Sequence, residues 1–208
     1  MPSNTIRDLN HLNETVLDLM YAMDQETGAY KDDKCENYPI GLWWYSQFAK
    51  PGTKVMTPEV CWSKRLAEML DKKELYASHE FQYPGTRQRC DVRAHVGWEK
   101  PVWIELKGSW RAGFDPQKPN PAYKKHLYAA AKDIDKLCTL GSDDASGISF
   151  VLVGFDQPQT NVSIDVADMD IVRSRINGGG WIESLRTWDV RMSLSFRVQC
   201  WIWSRRLD

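Results

Sequence analysis

The sequence predicts an α/β domain: a mixed central sheet flanked by helices, with an N-terminal helical extension. Three observations predict it. Helix-like rhythm, with apolar residues three and four apart, runs through residues 4–24, 57–73 and 122–140. Short β-branched and aromatic runs, the mark of strands, fall at 75–83, 88–98, 102–107, 147–155 and 192–203. At 208 residues the chain is long enough for one substantial core without staples. The division this suggests is an extension over residues 1–56 and a main domain over 57–208.

The elements follow in order. Ile6, Leu9, Leu12, Val16, Leu19 or Met20, and Met23 line one face of the first helix. Residues 25–38 are polar and read as a loop. Residues 41–49 are strongly aromatic and read as a short helix, packed into the core or else presented to a dimer or partner surface. The second helix opens at Thr57-Pro58-Glu59, with Thr57 suited to the N-cap and Pro58 to the first helical position. A strand at 75–83 is closed by Pro84-Gly85. Residues 88–98 and 102–107 form a hairpin. Residues 108–121, with three prolines and two glycines, read as a loop long enough to suspect function.

The third helix has Tyr123, Leu127, Ala130, Ile134 and Leu137 on its apolar face, with Lys125, Lys132 and Lys136 on a neighbouring stripe. Residues 147–155 form a β-rich apolar run fit for a buried strand. Residues 165–176 read as helix, broken by Asn177-Gly178-Gly179-Gly180, a turn rather than a phosphate cradle because no Lys-Ser/Thr follows. The last strand alternates Leu194, Phe196, Val198, Cys200 and Ile202 against Ser193, Ser195, Arg197, Gln199 and Trp201, which predicts one buried and one exposed face.

Composition narrows function. A net charge of −1 argues against nonspecific coating of nucleic acid, whose affinity comes mostly from neutralising phosphates, but leaves room for a local basic groove. Five cysteines, at 35, 61, 90, 138 and 200, form no close pairs and suggest neither a disulfide framework nor a zinc ribbon. No apolar run approaches the ~20 residues that span a bilayer, and the first residues lack the apolar core of a signal peptide. These features point to the cytoplasm. Four scattered histidines, at 11, 79, 95 and 126, build no nucleophilic triad.

The chemistry concentrates in the hairpin. On a strand, Glu105 and Lys107 point the same way and Leu106 the other. Asp91, on the preceding strand, brings a second carboxylate alongside. Like charges held close are costly unless a cation joins them, and a hard ion such as Mg²⁺ takes oxygen ligands from one or two carboxylates. The bland alternative is a solvated face with cross-strand pairs worth ~0.2–1 kcal/mol each.

The order helix, strand, strand, strand, helix, strand, with Asp91 on the second strand and Glu105-Leu106-Lys107 on the third, resembles the PD-(D/E)xK nuclease superfamily. The acid and the triplet stand fourteen positions apart, and Cys90 takes the place of the motif's proline. The resemblance covers about residues 57–155. Two other acid-x-Lys triplets, Asp32-Asp33-Lys34 and Asp71-Lys72-Lys73, lack the strand context. The resemblance implies a restriction-endonuclease-like αβββαβ core. It also implies a Mg²⁺-dependent endonuclease, with Mn²⁺ as a substitute, that hydrolyses DNA phosphodiesters. A restriction or phage-defence effector is one setting. RNA as substrate stays open, as do a catalytically degenerate binding or assembly subunit, a homodimer and a regulatory protein partner.

Roles follow. Asp91 and Glu105 hold the metal, with the Leu106 carbonyl as a further oxygen. Lys107 orients the attacking water and offsets charge growing on the phosphate. Glu59, on the preceding helix, binds a second ion or a metal water, or orients Lys107; Glu68 is its rival. Arg93 and His95 share Asp91's face and either touches the phosphate; otherwise Arg93 pairs with Glu105 and His95 is a satisfied surface residue. Arg93, Trp110, Arg111, Lys125 and Lys132 are the nucleic-acid contacts, with Arg87, Arg89, Lys124, Lys136 and Phe114 as further candidates.

Overall fold

The computed structural model describes residues 5–25, 58–110, 123–156, 166–176, 179–191 and 195–207. The aromatic stretch at 41–49, the polar loop before it, Thr57 and most of the loop before the third helix lie outside these residues. The described chain is an α/β fold with four helices and a mixed six-stranded sheet.

Helix α1 (Leu9–Gln25) starts later than its apolar rhythm suggests. Asp8 Oδ1 accepts the His11 amide at 2.8 Å, an N-cap that fixes the first turn. Helix α2 (Pro58–Asp71) ends earlier than expected, with Glu74 in the left-handed region at φ 61°. The amide of Leu75 donates to Leu70 O and that of Glu74 to Asp71 O, a Schellman closure built on a glutamate instead of glycine.

Strands β1 (Ser78–Gln82), β2 (Arg89–Ala94) and β3 (Val102–Trp110) form an antiparallel meander. Helix α3 (Tyr123–Leu137) then leads to β4 (Gly147–Asp156), which runs parallel to β3 from Val102 opposite Gly147 to Trp110 opposite Phe155. That ladder carries β3 through Gly108, Ser109 and Trp110, beyond the strand end at Lys107 that the sequence predicts. Helix α4 (Val166–Ile176) follows. Then come β5 (Trp181–Arg191), a strand the sequence reading missed, and β6 (Ser195–Arg206). The sheet order is β1-β2-β3-β4-β6-β5.

Helices cover both faces. Leu12, Val16 and Met20 of α1 and Trp62, Leu66 and Leu70 of α2 pack on Val92, Ile104, Leu106, Val151, Val198 and Ile202. On the other face Leu127, Ile134 and Leu137 of α3 and Met169 and Val172 of α4 pack on Trp103, Phe150, Leu152, Trp201 and Trp203. This corrects the reading of β6. Trp201, expected on an exposed face, is 5 % exposed because α3 and α4 cover that side.

The described part of the N-terminal segment shares the main core. A buried polar chain ties α1 to the sheet: Asn13 Nδ2 donates to Ile182 O (3.2 Å) and Ser184 Oγ (3.1 Å). Asn13 Oδ1 accepts from Ser204 Oγ at 2.5 Å, and Ser204 in turn meets Ser149 at 2.7 Å.

Candidate active site

The site opens where β2 and β3 part. Their ladder runs from Ala94 opposite Val102 to Val92 opposite Ile104 and goes no further. Beyond it β2 keeps its pairing with β1 through Cys90 and Arg89, while β3 continues along β4. Asp91 stands in this fork. Its Oδ2 accepts the Leu106 amide at 2.7 Å, replacing the strand partner that the fork removes. Cys90 also turns towards the α3 side, although Val92 and Ala94 face the other way.

Glu105 sits beside Asp91 and is 3 % exposed. Its Oε1 accepts the Tyr83 hydroxyl at 2.6 Å and pairs with the Lys136 ammonium at 2.5 Å. Lys107, on the same face of β3, lies 3.0 Å from Asp133 Oδ2 and 4.0 Å from Glu59 Oε1. Glu59 Oε1 also accepts the Gly108 amide at 3.2 Å. Glu68, by contrast, makes an exposed ion pair with Arg65 within α2.

These positions perturb the ionisable groups. Burial first, and then the Glu105 carboxylate, push Asp91 up to about 8, against the Leu106 amide and Lys107, which favour its charge. Burial and then the nearby acids likewise raise the Cys90 thiol. Burial raises the Tyr83 hydroxyl, helped by Cys90 and Glu105. For Lys107 burial alone would lower the pKa, but Glu59 and Asp133 outweigh it and hold the ammonium charged. Lys136 is raised in the same way, with Glu105 as its main counter-ion. Burial lowers His126, which lies near Glu59 and Lys107.

Four carboxyl groups, those of Glu59, Asp91, Glu105 and Asp133, therefore surround two ammonium groups, Lys107 and Lys136. The excess of acid and the contact between Asp91 and Glu105 suit a hard divalent cation. Among the described residues no three His, Cys, Asp or Glu side chains form one metal-holding group, so two carboxylates carry that fit.

The fork brings together Asp91, Glu105, Leu106, Lys107 and Glu59. Arg93 does otherwise. Its guanidinium stacks on Phe81 at 4.3 Å, its cross-strand neighbour is Trp103, and Glu105 is held by Tyr83 and Lys136. His95 is half-buried, with its amide on Leu75 O. Lys125 and Lys132 are exposed on α3. Arg89 pairs with Glu80 and Lys124 with Asp168. Trp110 is in β3, but its side chain, Arg111 and Phe114 lie outside the described residues. Of the rival triplets, Asp71-Lys72-Lys73 is exposed at the end of α2, and Asp32-Asp33-Lys34 lies outside the described residues.

Sequence reasoning missed Tyr83 and Asp133 and placed Lys136 in a groove, not at Glu105. One signal was available. His126, Ala129, Asp133 and Lys136 each precede an apolar residue of α3 by one position, so they form the flank of the face that lies on β3. The chain has no significant match among protein-family models, curated proteins or solved structures.

Proposed function

We propose that this chain is a metal-dependent endonuclease of the PD-(D/E)xK type, hydrolysing phosphodiester bonds of DNA. One observation carries the reading: Asp91 and Glu105 touch in the fork of β2 and β3 with Lys107 on the same face, in a cluster richer in acid than in ammonium. The order α2, β1, β2, β3, α3, β4, with β3 and β4 parallel, supports a restriction-endonuclease-like core.

Asp91, Glu105 and the Leu106 carbonyl would hold Mg²⁺ or Mn²⁺. Such an ion supplies a bound water of lowered pKa and positive charge beside the phosphate. Lys107 would orient the attacking water and offset charge on the developing oxyanion, and it stays charged because Asp133 and Glu59 flank it. Glu59 also fixes the backbone after Lys107 through the Gly108 amide. Lys125 and Lys132 offer exposed cations to the nucleic-acid backbone.

The test uses plasmid, linear duplex, single-stranded DNA and RNA, each with Mg²⁺, Mn²⁺ or EDTA. Cutting is expected only with a divalent ion. Lys107→Ala is expected to lower the rate about 10²–10³-fold, the usual cost of losing one transition-state donor. Asp91→Ala is expected to abolish cutting, with circular dichroism unchanged in both variants. Full activity in EDTA or in Asp91→Ala defeats the proposal. A second reading, a nucleic-acid-binding subunit without hydrolysis, draws on Lys136, whose ammonium already lies on Glu105. It predicts binding without cutting under every condition. Cutting only after a protein partner is added would indicate a controlled effector.

A further inference from the structure

Glu105 is held more tightly than a metal ligand needs to be. Its Oε1 receives two donors, the Tyr83 hydroxyl at 2.6 Å and the Lys136 ammonium at 2.5 Å. Both donors are themselves fixed. Tyr83 is buried and stacked on Trp103, with ring centroids 5.0 Å apart. Lys136 lies 5.1 Å from the Tyr83 ring centroid, 3.4 Å from Arg89 O and 3.7 Å from Asp133. A carboxylate oxygen has about two lone-pair sites, so two donors fill Oε1. Only the other oxygen is left for a cation.

That restriction separates two common ions. Mg²⁺ accepts near-octahedral oxygen ligands, one from each of one or two carboxylates, and keeps waters. Ca²⁺ gathers six to eight oxygens and often takes both oxygens of a carboxylate. Resting on the reading of Asp91 and Glu105 as metal ligands, we propose that Tyr83 and Lys136 are positioning residues that hold Glu105 to one-oxygen coordination and so make the site prefer Mg²⁺ over Ca²⁺. Tyr83 lies at the end of the β1 segment and Lys136 on α3, so the selectivity is set by packing across the fork.

The test is metal binding without nucleic acid. Wild type, Tyr83→Phe and Lys136→Gln are titrated with Mg²⁺, Mn²⁺ and Ca²⁺, followed by tryptophan fluorescence, for which Trp103 beside Tyr83 is a local reporter, and by thermal shift. The ratio of Ca²⁺ to Mg²⁺ affinity is expected to rise about tenfold in each variant, the lower end of the effect of altering a residue behind a metal ligand. A general loss of packing would weaken both ions and leave the ratio alone. An unchanged ratio in a folded variant overturns this inference while the metal centre stands. A wild-type chain that binds none of the ions overturns the metal centre and the inference together. Tyr83→Phe keeps the ring and its stack, so it decides the matter if Lys136→Gln loses its cooperative melt.

Discussion

At the scale of single residues, Asp91 makes the sharpest statement, because its folded and unfolded environments disagree. Burial and Glu105 raise it from 3.8 to about 8. Between those values the unfolded chain ionises Asp91 while the fold holds its proton, so unfolding releases a proton. In EDTA the contribution of Asp91 to stability is therefore fully present at low pH and is lost as pH rises towards 8. Melting temperatures in EDTA, measured from pH 5 to 8.5, are expected to fall more steeply in wild type than in Asp91→Asn, which has no proton to lose. Parallel profiles would mean that Asp91 is already ionised in the fold. If the pair is the proposed metal centre, excess Mg²⁺ should flatten the wild-type slope, because the ion would bind the ionised form. This part of the site was legible before the fold was known: strand alternation alone puts Glu105 and Lys107 on one face, and the hairpin delivers Asp91. Tyr83 was not, because it reaches the cluster only through the turn after β1, and the flank of α3 marks Asp133 and Lys136 without showing that this helix is seated on Glu105 and Lys107.

At the scale of elements, the Asn13 amide is the most buried polar tie between α1 and the sheet, beside the Trp188 indole on Asp24 and the Arg186–Asp18 pair. Asn13 is 0 % exposed and satisfies Ile182 O, Ser184 and Ser204 at once. Replacing it by alanine leaves the buried Ser204 of β6 and two half-buried groups of β5 without that partner, at about 1–3 kcal/mol. Asn13→Ala is expected to lower the denaturation midpoint accordingly without changing the denaturant slope; a loss below about 0.5 kcal/mol would mean that water replaces the amide. The same elements mark the limit of reading by periodicity. Long amphipathic stretches announced α1, α2 and α3. Strand β5 did not announce itself, because it is an edge strand whose exposed positions mix Glu183, Leu185 and Asp189 and blur the alternation. Strand β6 was found but misjudged, since its neighbours β4 and β5 make it interior and α3 and α4 then cover Trp201 and Trp203. The extra length of β3 comes from its parallel partner, a long-range pairing that local sequence does not carry.

At the scale of the whole molecule, charge balance decides how a polyanion can approach. With a net charge of −1 the chain has no overall field to attract DNA, and the candidate site adds a local surplus of carboxylate. On the proposed reading, attraction would come from a local cationic surface, and a bound metal would cancel the acid beside it. Helix α3 connects the two requirements: Lys136 turns inward to Glu105, while Lys125 and Lys132 remain exposed on the same element. Each phosphate neutralised by an ammonium contributes about 0.9 to the salt slope of duplex binding. Lys125→Glu combined with Lys132→Glu is therefore expected to weaken binding of the slow-cutting Lys107→Ala protein to duplex DNA and reduce that slope by about two, equally for all sequences. Binding measured by fluorescence anisotropy over a range of salt checks this. An unchanged slope would put the nucleic-acid surface elsewhere, with the pair at the fork still free to act as a metal centre. A reduced slope together with stronger binding in Mg²⁺ than in EDTA would place the phosphate backbone over α3 and the scissile bond at the parting of β2 and β3.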